Sequence, residues 1–130
     1  MNSLLELIVY STLLTFIAIA AGPILRNREW TLEGLKVGLS NREKLPEETP
    51  MGGRAVRAAS NSIEALILFT PLALVAHISG HGEAALFGAQ LFFWSRVAYL
   101  PIYWVGIPYL RSAVWFAGVA GLGMMAMALL

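Results

Sequence analysis

Cysteine is missing from all 130 positions, which excludes disulfides, thiolate metal ligands and a cysteine nucleophile within the chain. Any thiol chemistry would have to arrive with a substrate. Charge is scarce too: 13% of residues are Asp, Glu, Lys or Arg, against about 25% in an ordinary soluble domain. Neither sign prevails, since nine Lys/Arg and eight Asp/Glu leave a formal +1, so no overall field points to a nucleic-acid partner. The only histidines, His77 and His81, flank Gly80 at a segment end and read as a polar turn, so no metal site is expected. What remains is apolar, 58% of the chain, more than a soluble domain of this size can hide. Lipid is the natural solvent for it.

No residue from Leu7 to Leu25 is charged, a length that matches the roughly 30 Å hydrocarbon core. The small residues Ala18 to Gly22 look a little like a signal-peptide cleavage site, but the start Met1-Asn2-Ser3-Leu4-Leu5-Glu6 has no basic stretch, so the segment is expected to be retained. Similar apolar runs predict an all-α integral membrane four-helix bundle, one domain over 1–130, with spans near 4–25, 57–79, 84–104 and 108–130. A charged stretch over 26–53, holding Pro46, Pro50 and Gly52-Gly53, reads as one long loop. Seven of the nine Lys/Arg lie between Arg26 and Arg57, Arg111 lies near the third-to-fourth connection, and the Ser79 to Glu83 turn has none. The positive-inside rule then puts the long loop in the cytoplasm and both termini outside. Gly118, Gly121 and Gly123 in the last span suit close helix packing, within a subunit or between subunits.

Ionisable groups inside a span cost about 2.5 to 3.5 kcal/mol and so face a partner or a wet cavity. Arg57, Asn61 and Glu64 are spaced i, i+4, i+7 and share one face of the second span. Arg96, Tyr99 and Tyr103, spaced i, i+3, i+7, form a stripe on the third, with Pro101 between the tyrosines as a candidate kink. Arg111-Ser112 opens the fourth on the same side. Two explanations compete. Arg57 and Arg111 as snorkelling anchors, with Tyr99, Tyr103, Trp104 and Tyr109 as an aromatic belt, need no function. Arg96 and Glu64 lie deeper, and their structural explanation is that they pair with each other or with other buried groups. Chemically, arginine forks hold carboxylates, Asn and Glu fix an amide and an ammonium, and a hydroxyl can hydrogen-bond a sulfur anion. Glutathione fits that inventory, as do other zwitterions. A thiol beside arginine ionises more readily, and its thiolate could attack an electrophile dissolved in lipid.

The segment Arg57-Ala58-Ala59-Ser60-Asn61-Ser62-Ile63-Glu64 resembles the R-A-x-x-N-x-x-E motif in the second helix of the MAPEG family, the membrane-associated proteins in eicosanoid and glutathione metabolism. Length, four spans and a long first loop also match, and Arg111-Ser112 is similar to the Arg-Ser pair of the prostaglandin E synthase branch. Ser60 stands where some members have arginine, Tyr99 where that branch has histidine, and Pro71 comes later than the usual proline. The resemblance implies a bacterial-type member in the inner membrane, a homotrimer binding glutathione between subunits near the cytoplasmic face. Arg57, Asn61, Glu64, Arg96, Tyr99, Tyr103 and Arg111 would then contact glutathione as cosubstrate, with Arg111 and Ser112 activating its thiol.

The resulting expectation is a glutathione-dependent transferase or peroxidase acting on hydrophobic electrophiles. One alternative is a non-catalytic membrane or lipid-binding protein that retains the fold. Another is a small multidrug transporter, which fits less well because Glu6 lies near the end of its span and the first loop is long.

Overall fold

The computed structural model describes residues 3–42, 47 and 49–130. Met1, Asn2, Lys44 and Pro46, used above in reading the N-terminus and the loop, lie outside these. The described residues form five α-helices: α1 (Leu4–Asn27), α2 (Leu32–Leu39), α3 (Pro50–Ile78), α4 (Gly82–Val105) and α5 (Pro108–Leu129). Each of the four long helices, at about 1.5 Å per residue, exceeds the roughly 30 Å of a bilayer core. Three of them, α1, α3 and α5, are also apolar enough to cross a membrane. The fourth, α4, matches α1 in length, but Gln90, Arg96 and its tyrosines and tryptophans lower its hydropathy.

Local chemistry sets the boundaries, and it changes two of the expected ones. The stretch 26–53 is not one loop. Thr31 caps α2 by accepting a hydrogen bond from the Gly34 N–H at 3.0 Å, and Leu32–Leu39 is helical. Thr49 does the same for Gly52, also at 3.0 Å, and Pro50 occupies the first turn, where its missing N–H costs nothing. α3 therefore starts seven residues before Arg57. Pro50 and Gly52 read as loop signals because Pro and Gly punctuate chains, but here one starts a helix and the other admits a neighbour. A Cβ at Gly52 would lie 2.9 Å from the Leu25 carbonyl oxygen and from the Arg26 Cα at the end of α1. Pro101 leaves α4 unbroken, so the candidate kink there does not interrupt the helix.

α1 packs on α3, α4 on α5, and α3 meets α4 between the two pairs. The interior is made of small residues: Ala18, Ala55, Ala58, Ala73, Ala85 and Ala89 are fully buried. Phe69 and Phe92 stack among them with ring centroids 4.5 Å apart. The large side chains point outwards, Phe16, Ile67, Ile78, Phe87 and Met127 among them. A soluble protein would reverse that arrangement; in lipid, where apolar surface needs no shelter, close backbone approach stabilises the packing instead. α4 and α5 approach closely at Gly88 and Gly121, where a Cβ on Gly121 would lie 2.6 Å from the Gly88 carbonyl oxygen. Gly121 thus serves packing inside the subunit, while Gly123 faces open space.

Candidate functional site

The antiparallel run of helices brings the end of α1, the start of α3, the end of α4 and the start of α5 together. Arg54 on α3 donates from Nε to the Trp104 carbonyl at 2.9 Å, capping the end of α4 where Gly106 turns through φ 88°. The same arginine occupies the space a Cβ at Gly106 would need. This clasp sets α3 and α4 in register. Two turns further along α3, Asn61 and Ser62 face α4 at the height of Arg96.

Arg96 is 6% exposed, and its guanidinium donates to Asn61 Oδ1 at 2.8 Å and to Ser62 Oγ at 3.0 Å. Its outer face lies over the Tyr99 ring, 4.1 Å from the centroid. The Tyr99 and Tyr103 rings follow one another at 5.3 Å, and Arg111 of α5 caps the series, 5.0 Å from the Tyr103 centroid. The stripe expected on α4 therefore becomes a continuous stack, cation, ring, ring, cation, anchored on α3 at one end and α5 at the other.

Two clefts flank the stack. The smaller, about 100 Å³, is bordered by Asn61, Glu64, Arg96 and Trp115 with apolar residues of α3 and α5. The larger, about 380 Å³, is bordered by Tyr99, Tyr103, Arg111, Ser112, Trp115 and Phe116. Trp115 belongs to both. Seven of the eight residues singled out in the sequence thus gather around one stack and its two clefts. Arg57 shares their helix face but lies exposed, one turn before Asn61, and borders neither cleft. Glu64 does not pair with Arg96, which is satisfied by Asn61 and Ser62; it is exposed at the rim of the smaller cleft, and among the described residues no hydrogen bond or ion pair reaches it.

Sequence reasoning passed over Ser62, Arg54 and Trp115. Ser62 sat inside the motif but off its i, i+4, i+7 face, and only the position of Arg96 on a different helix gives it a role. Arg54 looked like one more loop cation. Trp115 lies one turn after Arg111, a spacing that could have placed it with the site. At the other end of the molecule His81 and Ser79 share a hydrogen bond of 2.9 Å in the α3–α4 turn.

As a set, the stack offers two guanidiniums, an amide, a carboxylate and a serine hydroxyl on a partly apolar wall open between α3 and α5. Such a surface can hold a ligand with two negative ends and one positive one while leaving one side to lipid. The MAPEG family model matches residues 4–130, nearly the whole chain. No curated protein and no solved structure matches it.

Proposed function

The chain belongs to the MAPEG family, and from that premise we propose that it is a membrane-bound, glutathione-dependent transferase or peroxidase acting on hydrophobic electrophiles. The observation that carries this reading is the Arg96–Tyr99–Tyr103–Arg111 stack with Glu64 beside it and no protein partner for that carboxylate among the described residues. The donor set fits glutathione. Arg96 and Arg111, at opposite ends of the stack, would hold its two carboxylates, Glu64 its ammonium, and Asn61 a peptide group. Arg57, on the same exposed face of α3, would reach it from a neighbouring subunit.

Bound there, glutathione would supply a thiolate nucleophile. Arg111 would favour the ionised thiol by its charge, and the exposed Ser112 hydroxyl, which donates to the Pro108 carbonyl at 3.3 Å, would turn to donate to sulfur instead. Tyr99 and Tyr103 line the larger cleft and would contact the bound glutathione. Trp115, Phe116, Val119 and Leu122 offer an apolar approach for a substrate arriving through lipid. In this reading α1, α3, α4 and α5 all span the bilayer as a four-helix bundle, and three copies close the site as a homotrimer. The long stretch between α1 and α3 lies in the cytoplasm of a bacterial inner membrane and both termini lie outside.

Titration of the detergent-solubilised protein with glutathione, followed by ultraviolet thiolate absorbance, tests the proposal alongside an Arg96→Leu variant. A saturable signal that the variant loses, with helicity and elution volume unchanged, is the expected outcome. Absence of binding and of conjugation with general electrophiles by the folded native protein rejects it in favour of a non-catalytic member.

A further inference from the structure

The short helix α2 is unusual in which of its sides meets the protein. Gly34, its one buried residue, lies against the Asn27 and Arg28 carbonyls at the end of α1, so close that a Cβ there would collide with both. Gly38, one turn on, sits against the Glu29 carboxylate, 2.6 Å from where its Cβ would be. The two glycines fix how α2 is rotated. Leu32, Leu35 and Leu39, spaced i, i+3, i+7, form a separate stripe that nothing among the described residues covers, with Leu32 70% and Leu39 80% exposed. Glu33, Lys36 and Ser40 make up the third side. Trp30, 65% exposed, extends the apolar stripe back towards α1, whose outward residues Phe16, Ile17 and Ile24 form its lipid-facing side.

We infer that α2 lies in the membrane interface at the arginine-rich end of the molecule, its leucine stripe and Trp30 set into the leaflet and Arg28, Lys36 and Arg42 on anionic phospholipid phosphates. Three observations favour lipid as the occupant. The stripe continues the lipid-facing side of a helix apolar enough to cross the membrane, only four residues away. Charge is complementary: residues 26–42 carry four Arg/Lys against two Glu. The three-sided pattern, glycine to protein, leucine to one side and charge to another, is that of a helix lying in the plane of the headgroups with Lys36 reaching up. The inference rests on membrane residence and not on the thiol chemistry.

The absence of cysteine allows a clean test with the full chain. Single cysteines replacing Glu33, Leu35, Leu39 or Ser40 are spin-labelled in nanodiscs of phosphatidylcholine, with or without phosphatidylglycerol. The oxygen-to-nickel accessibility ratio is expected to be several-fold higher at 35 and 39 than at 33 and 40. Phosphatidylglycerol should raise it further, and Lys36→Gln with Arg42→Gln should abolish that increment. Equal ratios at all four positions, meaning a solvated helix, would overturn the inference. So would a phosphatidylglycerol response that is absent from the native charge pattern, or dipolar broadening at 35 and 39 that disappears on dilution with unlabelled chain, which would assign the stripe to a second copy.

Discussion

A guanidinium inside a membrane helix costs about 2.5 to 3.5 kcal/mol to insert, and Arg96 offsets that cost with two hydrogen bonds and an aromatic face. Asn61→Ala removes one of those bonds and leaves the other partners in place. A hydrogen bond between helices in lipid contributes about 0.6 to 1.7 kcal/mol, so the variant should unfold at a temperature lower by about 2 to 6 °C, measured by circular dichroism in detergent. Glu64→Gln should behave differently, because that carboxylate holds nothing among the described residues. Its thermal midpoint is expected to stay within a degree or so of native, while glutathione affinity falls about tenfold, as expected for a lost charge-assisted contact. An analogue lacking the amino group should bind both proteins about equally in titration calorimetry; unequal binding would remove Glu64 from the ammonium site.

Helices, rather than single side chains, carry the geometry of the clefts. α4 contributes Arg96, Tyr99 and Tyr103, α5 contributes Arg111 and Trp115, and Gly88 and Gly121 let the two approach. Gly121→Ala places a methyl 2.6 Å from the Gly88 carbonyl oxygen and should destabilise the protein by roughly 1 to 3 kcal/mol. Gly123→Ala, facing open space, should be close to neutral in the same thermal melt. Among the elements, the first long apolar segment was legible from the absence of charge over 7–25 and the other three from apolar runs broken by only one or two charges, while the helix faces of Asn61 and Glu64 and of Arg96, Tyr99 and Tyr103 were legible from spacing alone. α2 was not, because eight residues with two glycines carry a weak periodic signal, and the first turns of α3 were hidden by Pro50 and Gly52-Gly53. For Arg96 charge alone left open a pair with Glu64 or with other buried groups, and only the packing of α3 against α4 decides for Asn61 and Ser62.

At the scale of the whole molecule, all the basic connections lie at one end and the His77–Gly82 turn with Ser3 and Leu4 at the other. The proposed orientation makes a direct prediction for cells. A single cysteine at Ser79 should react with a membrane-impermeant maleimide added from outside, and one at Glu47 only after the membrane is opened. The reverse pattern would invert the topology without changing the fold.

The bond between Arg96 and α3 also bears on how the protein is made. α1 and α3 can leave the translocon as they are synthesised, since each is apolar enough alone, and so can α5. α4 emerges with an arginine whose two hydrogen-bonding partners, Asn61 and Ser62, are already in the bilayer on α3. If α4 spans the bilayer as proposed, its entry into lipid is coupled to recognition of a helix that precedes it, and the residues proposed to build the site would also order the insertion of the chain.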